Sequence, residues 1–327
     1  MVGKDGRIVL RFGIWNLASL QRIKGKSQPR RHIAVSLYES LNGLPDETRL
    51  ELEEKILFRF ATSTRISKRT HADRFPEFDN LAINYIGEMA KHRDQVSIHD
   101  VAVSNGHTAV EFYCKVKRAI RPSGFLYLAS DAYTIFNSIT QDCGSLSVVT
   151  DSQGHIVQVV FPPFVFNTKE KESFLYYPLN RLILFCLLQT RVKNLLSEYN
   201  SGSSRFQVKR IELLDRECAS LAREAKDFQF VSYNIFEPMD RQFDVVRAMN
   251  VLNPTYFSPK QVSTIATNFL KCLTEGGLLI SGSNQNSGTT VDGSVFQKKG
   301  DSLVEIARSG LGSPVCATIE KTRIPPD

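Results

Sequence analysis

The segment from Val96 to Phe112, VSIHDVAVSNGHTAVEF, constrains the fold of this chain more than any other. A short apolar run ends in Asp100, a turn of small residues follows, and a helix-like pattern begins after Gly106. The first strand of a cofactor-binding α/β sheet has this order, because the turn lets backbone amides approach a ligand while an acidic side chain stands beside it. The segment therefore predicts binding of a nucleoside-containing cofactor.

Length and composition are those of an ordinary soluble globular protein. The chain has 327 residues, of which 42% are hydrophobic and 23% charged, enough for one large domain with an appendage or for two domains. Its six cysteines are scattered, without a CxxC pair or histidines at ligand spacing. We therefore expect no metal site, no disulfide framework and a cytoplasmic location.

The net charge of +7 leaves room for an anionic partner, and much of the excess lies at one end. Between Lys4 and Arg31, eight basic residues face only Asp5. This basic arm suits nucleic acid or another anion, although a solvated, partly disordered tail has the same composition.

The longest apolar run, Leu182 to Leu188, is far shorter than the roughly 20 residues that span a bilayer. We expect no transmembrane segment. The run is flanked by Arg181, Arg191 and Lys193, so it either contacts a membrane surface peripherally or forms a buried helix of the main domain.

Helical patterns dominate the first third, and a strand-helix alternation typical of a parallel α/β sheet follows from Ser97. The predicted helices are Leu44–Phe60, Phe78–Ala90, His107–Ile120, Asp215–Lys226 and Pro259–Leu273. The predicted strands are Ile98–Val103, Phe125–Ser130, Phe228–Ile235, Phe243–Met249 and Leu278–Gly282, with an antiparallel ending at Ser294–Phe296 and Val315–Ile319.

A hairpin pattern interrupts this alternation between Leu146 and Phe166, where two β-branched runs flank a glycine-bearing turn. Pro162 and Pro163 are expected to stop its ladder. We therefore predict a basic arm and N-terminal helical region over residues 1–95. A Rossmann-like domain is predicted over 96–327, with an insertion at about 144–203.

Taken together, the motifs resemble those of the class I S-adenosylmethionine-dependent methyltransferases. The stretch from Asp100 to Gly106 lies over that family's acidic-hydrophobic-Gly-x-Gly-x-Gly motif, with Ala102 and Ser104 in place of the first two glycines. With LYLASDAYTIF, FVSYNIFEP, FDVVRAMNV and LKCLTEGGLLISGS, the set looks most like the chemotaxis-receptor (CheR-like) glutamate methyltransferase branch. The resemblance implies a Rossmann-like methyltransferase sheet, mostly parallel with an antiparallel C-terminal strand, plus an N-terminal helical cap and a β-hairpin insertion.

The resemblance also implies an S-adenosylmethionine site. In the family, the first acid and the glycine turn hold the methionine end, the second acid holds the ribose hydroxyls, and the residue after the third strand borders adenine. The matching positions here are Asp100, Ala102, Ser104, Gly106, Asp131 and Asn234. Asp215 also follows a strand-like run and competes for the ribose role, but Asp131 follows the first βα unit directly. Alternatively, Asp131 only caps a helix.

Methyl transfer is an in-line displacement that depends on alignment and needs no universal catalytic base. We expect Asn250 and Tyr256, after the fourth strand, to hydrogen-bond or stack against the acceptor; alternatively, Asn250 caps a loop and Tyr256 packs in the core. His107 either accepts a proton near neutral pH or is a polar residue in the first turn of its helix.

The sequence therefore predicts a methyltransferase acting on a small-molecule, saccharide or protein acceptor. Two alternatives stay open. A non-catalytic binding or regulatory protein is consistent with Ala102 and Ser104 in the glycine motif. A nucleic-acid methyltransferase is consistent with Asn253-Pro254-Thr255-Tyr256, which approaches the Asn-Pro-Pro-aromatic motif of enzymes that methylate exocyclic amines of bases, although Thr255 breaks it.

Overall fold

The computed structural model describes residue 10 and residues 12–27, 31–60, 73–120, 124–142, 144–168, 178–202, 205–284 and 290–324. The chain forms two compact units, each built from two separate stretches. The first unit comprises Met1–Thr70 and Ile135–Leu213, and the second comprises His71–Thr134 and Leu214–Asp327.

The boundaries of these units differ from the domain boundaries that the sequence predicted. Residues 71–95 belong with the parallel sheet, whereas the predicted boundary separated them from it. The inserted stretch runs from Ile135 to Leu213, so it is longer than the predicted 144–203, and it packs with the N-terminal 70 residues.

The helices and strands of the described residues are as follows. The strands are β1 Gln95–Val101, β2 Gly124–Asp131, β3 Ile135–Gln141, β4 Ser147–Asp151, β5 Ile156–Phe161, β6 Phe164–Asn167, β7 Phe206–Glu212, β8 Phe228–Ser232, β9 Phe243–Met249, β10 Leu273–Asn284, β11 Val291–Lys299 and β12 Ser302–Ser309. The α-helices are α1 Leu17–Gln21, α2 Asp46–Arg59, α3 Pro76–Ala90, α4 His107–Ile120, α5 Pro178–Leu182, α6 Gln189–Asn200, α7 Arg216–Glu224, α8 Pro259–Cys272 and α9 Cys316–Lys321. A 3-10 helix spans Val35–Leu41, and a π-helix spans Ile183–Leu188. None of the described helices is long and apolar enough to cross a bilayer.

The second unit contains a seven-stranded sheet in the order β12-β11-β10-β9-β1-β2-β8. Its five strands from β10 to β8 are parallel, and β11 and β12 add an antiparallel edge. In chain order the parallel strands read 3-2-1-4-5, the order of a Rossmann sheet. The predicted fold class, a mostly parallel Rossmann-like sheet with an antiparallel C-terminal end, is confirmed. The strand order reverses between β1 and β9, and ligands of such sheets bind outside the carboxyl ends at that point.

One predicted element of this unit is wrong. The stretch Val315–Ile319 was expected to be a strand, but it belongs to α9, and the last strand is β12. Val315 and Ile319 are four residues apart and both buried, which is the spacing of one helical face. The backbone amide of Ile319 donates to the carbonyl of Val315 and closes that turn.

The first unit contains a five-stranded antiparallel sheet in the order β6-β5-β4-β3-β7. The predicted hairpin is present as β4 and β5. Its ladder does not stop at Pro162 and Pro163, because these residues form a turn and Phe161 then pairs with Phe164 of β6. The segment from α5 to α6 buries apolar side chains together with those of this sheet. This cluster includes Leu184, Leu188, Val192 and Leu195 from the helices and Ile139, Val148, Val159 and Phe166 from the strands.

Part of the predicted basic arm is folded into the first unit. Ile14 forms a β-bridge with Ile33, and Leu20 of α1 is fully buried. The ammonium of Lys24 donates to the hydroxyl of Thr48 at 2.6 Å. Residues 12–27 are therefore anchored by Ile14 and Leu20, whereas their basic side chains, Arg22, Lys24 and Lys26, are exposed; residues 1–9, 11 and 28–30 lie outside the described residues.

The interior of the second unit holds a buried cation between two carboxylates. Arg247 of β9 is 1% exposed, and its guanidinium lies 2.9 Å from Asp100 Oδ2 and 2.9 Å from Asp79 Oδ1. The hydroxyl of Tyr127 donates to the same Asp100 oxygen at 2.6 Å. The guanidinium also lies 4.3 Å from the ring centroid of Phe112. These contacts join β9 to α3, β1, β2 and α4.

Replacing Arg247 with Met should lower the free energy of unfolding by about 3–5 kcal/mol, because Asp100 and Asp79 are left in the interior without the cation that pairs with them. Adding Asp100→Asn should restore part of that loss. The surface ion pair between Arg308 and Glu305 supplies a control, since Arg308→Met should change the stability far less than Arg247→Met does. Urea unfolding measures all three variants, and equal losses for Arg247→Met and Arg308→Met would contradict a structural role for the buried pair.

Candidate functional site

The loop between β1 and α4 repeats a left-handed backbone conformation. The φ angles are 58° at Ala102, 62° at Ser104 and 87° at Gly106. This region favours glycine, and a side chain there costs on the order of 1–2 kcal/mol. Asn250, the first residue after β9, has a φ of 58°. Such strain persists only where the surroundings enforce it, and it concentrates at functional sites.

These strained residues follow two neighbouring strands. β1 and β9 pair in parallel, so Ala102, Ser104 and Asn250 lie at the carboxyl edge of the sheet, where the strand order reverses. The backbone therefore supports a ligand site at the edge that the sequence indicated.

Asp131 ties the loop to the end of the neighbouring strand. Its Oδ2 accepts from the backbone amide of Ser104 at 2.8 Å, and its Oδ1 accepts from the amide of Tyr133 at 2.9 Å. The residue is 8% exposed. It ends β2 and no helix follows it, so it is not a helix cap. A carboxylate has about four acceptor positions across its two oxygens.

Asp215, the competing acid, has the capping role that was considered for Asp131. Its Oδ1 accepts from the backbone amides of Glu217 at 2.9 Å and Cys218 at 3.2 Å in the first turn of α7. The residue is 1% exposed, and its own amide donates to the carbonyl of Asn105 at 2.7 Å. Asp215 therefore fixes α7 against the loop.

Gly106 is required by the close packing of the loop against α7. A Cβ atom there would lie 2.3 Å from Cys218 Sγ on α7, and the φ of 87° adds strain for any side chain. The third glycine of a Rossmann loop serves close helix packing in the same way. This explains why the chain accommodates Ala102 and Ser104 while it keeps Gly106.

Asp100 does not have the surroundings that its predicted role needs. It was expected to hold the methionine end of a cofactor, but it is 1% exposed and its Oδ2 is bonded to Arg247 and Tyr127. Burial raises its pKa, and Arg247 opposes that shift. These contacts support a structural role for Asp100, and its contact with the cofactor stays a prediction. The arginine in the central strand FDVVRAM was the signal for this pair.

His107 begins α4 between two carboxylates. Its Nδ1 lies 3.7 Å from Asp215 Oδ2, and its Nε2 lies 3.5 Å from Glu111 Oε1. The neighbouring carboxylates, Asp215 first and then Glu111, raise the pKa of His107 to about 10. The ring is therefore protonated at neutral pH. Its position at the start of α4 favours the first-turn alternative, and proton acceptance by His107 stays a prediction.

The other three predicted site residues also follow strands of the sheet. Asn250 and Asn284 form a reciprocal pair: Asn250 Nδ2 donates to Asn284 Oδ1, and the Asn284 amide donates to Asn250 Oδ1, both at 2.9 Å. This favours the loop-capping alternative for Asn250. Tyr256 is 37% exposed and packs edge-on against Phe257. Asn234, after β8, is exposed, and its Oδ1 accepts from the amide of Phe236.

One group of described side chains has the spacing of metal ligands. Atoms of Glu305, Cys316 and Glu320 lie within 4.8 Å of one another. Glu305 is already paired with Arg308, and burial raises the pKa of Cys316 to about 11, so its thiol stays protonated at neutral pH. The donor set is therefore a poor one for a metal ion.

Comparisons with known proteins give remote similarities. No protein-family model and no curated protein match the chain. The N-methyltransferase NodS from Bradyrhizobium japonicum, solved with S-adenosyl-L-homocysteine, is 10% identical with a TM-score of 0.28, over 63% of this chain and 62% of that chain. CalS10, an amino pentose methyltransferase from Micromonospora echinaspora solved with S-adenosylmethionine bound, is 8% identical with a TM-score of 0.30, over 70% and 65%. An S-adenosylmethionine-dependent methyltransferase from Clostridium acetobutylicum is 10% identical with a TM-score of 0.31, over 76% and 78%.

The chain thus spans less than two thirds of the lengths of NodS and CalS10. With TM-scores below 0.5, the functional argument depends on the strand order and the loop geometry described above. These comparisons do not single out the chemotaxis-receptor branch, so that finer resemblance is not supported.

Replacing Ala102 with Gly should stabilise the protein by about 0.5–1 kcal/mol, because relief of the left-handed strain exceeds the entropy that glycine adds to the unfolded chain. Ala266→Gly, inside α8, should instead destabilise by about 1 kcal/mol or more. Thermal or urea unfolding compares the two variants. If both destabilised equally, the loop would not hold Ala102 in a strained conformation.

The His107 ring should contribute stability that depends on pH. Its pKa in the folded protein, about 10, lies above the ordinary value of 6.5, so the contribution is full below pH 6.5 and is lost as pH rises towards 10. The difference in unfolding free energy between the natural protein and His107→Gln should shrink across that window. NMR titration of the ring gives an independent check, and a midpoint near 6.5 would contradict the pairing with Asp215 and Glu111.

Proposed function

We propose that this protein is an S-adenosylmethionine-dependent methyltransferase acting on a small-molecule, saccharide or protein acceptor. The observation that carries the proposal is the loop after β1, held by Asp131 from the next strand at the point where the strand order reverses. A strained loop of small residues beside a carboxylate suits a nucleoside, because the backbone comes close to the ligand while the acid accepts from its hydroxyls.

The residues present fit an adenosyl cofactor over most of its length. Asp131 would accept from the ribose hydroxyls, Ala102 and Ser104 would border the cofactor through their backbone, and Asn234 would lie beside the adenine. Asp100 does not fit, since Arg247 already neutralises it, and the methionine ammonium would need other acceptors. The bound cofactor supplies an electrophilic methyl group.

The contribution of the chain to the chemistry is alignment. Asn250 holds the ends of β9 and β10 together through Asn284, so it acts as a positioning residue. Tyr256, in the loop between β9 and α8, is the exposed aromatic residue that would contact the acceptor. In-line displacement needs this alignment more than a base, so a protonated His107 is no obstacle.

A non-catalytic cofactor-binding protein is the second candidate. It is favoured by the side chains at Ala102 and Ser104 and by the pairing of Asp100 with Arg247, both of which depart from the family's motif. The nucleic-acid alternative gains less support. Asn253 Oδ1, which would receive an exocyclic amine, accepts from the backbone amide of Thr255 at 2.8 Å in its own turn.

Isothermal titration calorimetry with S-adenosylmethionine and S-adenosylhomocysteine tests the proposal. Asp131→Ala should weaken binding about tenfold or more, because hydrogen bonds to a charged acceptor are lost. Asp215→Asn is the control: it keeps the side-chain oxygen that caps α7, removes the charge of the competing acid and should leave binding nearly unchanged.

Absence of binding by the folded protein would reject the proposal, and equal effects of the two substitutions would reject the role of Asp131. Binding without methyl transfer to a broad panel of acceptors would favour the non-catalytic candidate. Affinity for oligonucleotides that falls steeply with salt would favour the nucleic-acid alternative, because phosphate contacts release counterions.

A further inference from the structure

The helical segment from α5 to α6 in the first unit has two apolar faces. One face, with Leu184, Leu188 and Val192, packs in the cluster with the five-stranded sheet. The other face carries Leu182, Phe185 and Leu187, which are 56%, 54% and 66% exposed. A single exposed leucine is ordinary on a protein surface, but several in one short stretch form a patch that marks an interaction surface.

The π-helix contributes to this patch. Between the buried side chains of Leu184 and Leu188, three successive residues, Phe185, Cys186 and Leu187, are exposed. π-helices are rare and are frequently found at functional sites. We call the exposed side chains of Leu182, Phe185 and Leu187 the outer patch.

Within the helical segment itself, the charges beside the outer patch have one sign. Residues 178–197 contain Arg181, Arg191 and Lys193 and no acidic residue. Arg191 and Lys193 are exposed, and the Arg181 guanidinium lies 5.7 Å from the ring centroid of Phe185. Exposed leucine and phenylalanine beside lysine and arginine is the composition of helices that lie in the interface of anionic membranes.

We propose that the outer patch docks on an anionic phospholipid surface, with Leu182, Phe185 and Leu187 entering the headgroup boundary and Arg191 and Lys193 contacting lipid phosphates. A second copy of this chain fits less well, because a twofold contact would bring the same positive charges together. Nucleic acid fits less well also, since two leucines offer its bases neither stacking nor hydrogen bonds. The segment lies on the bilayer and does not span it. This inference is independent of the methyltransferase proposal.

Vesicle co-sedimentation of the full chain tests the docking. The protein should bind vesicles of phosphatidylcholine that contain about one third phosphatidylserine, and bind pure phosphatidylcholine about tenfold or more weakly. Replacing Phe185 and Leu187 together with Ser should reduce binding about tenfold or more. Val304→Ser with Leu311→Ser, exposed apolar residues of the other unit, is the matched control and should leave binding unchanged.

Two charge-reversal variants separate the electrostatic contribution to vesicle binding from the apolar contribution. Arg191→Glu with Lys193→Glu should reduce binding about tenfold or more, whereas Lys299→Glu with Lys321→Glu, which makes the same change in net charge on exposed residues of the other unit, should have little effect. All these residues are exposed, so circular dichroism should show unchanged folding. No binding to either vesicle, equal effects of the two charge reversals, or a dimer that Phe185→Ser with Leu187→Ser dissociates would each overturn the proposal.

Discussion

The ion pair between Arg247 and Asp100 is the interaction on which the second unit depends. A guanidinium that is 1% exposed bonds carboxylates on α3 and β1 and packs on the ring of Phe112 in α4. Because an unpaired charge in this interior would be costly, the elements that supply the partners cannot separate without a large loss of stability. The pair therefore joins the central strands β1 and β9 to the helices that cover them.

That constraint changes how the candidate site is built. The first acid of the motif, Asp100, forms its contacts inside the core. The second, Asp131, joins the loop to β2 through the amides of Ser104 and Tyr133, and in the proposed site it also accepts from the ligand. Ala102 and Ser104 keep the left-handed backbone of a glycine loop although they carry side chains. The residues around the loop hold it in this strained conformation at the carboxyl edge of the sheet. A loop held in this way suits a reaction that depends on alignment.

Local patterns predicted the parallel sheet well, because alternating apolar runs and helical spacing record which faces are buried. His107–Ile120 and Phe243–Met249 have the predicted bounds. The five-stranded sheet was only partly predicted, since β7 reads FQVKRIE and has four successive exposed residues without an apolar alternation. The partner of Asp100 is 147 residues away, and the high pKa of His107 comes first from Asp215, the residue that caps α7, which is distant in the sequence. Such contacts are set by tertiary packing, which local periodicity does not record.

A crystal structure of the protein with S-adenosylhomocysteine tests the account most directly. It should show the ribose hydroxyls on the carboxylate of Asp131, the nucleoside along the backbone of residues 102–106, and Asp100 still paired with Arg247. A nucleoside held by Asp215, one bound away from the carboxyl edge of β1 and β2, or an Asp100 released from Arg247 to meet the ligand would contradict it.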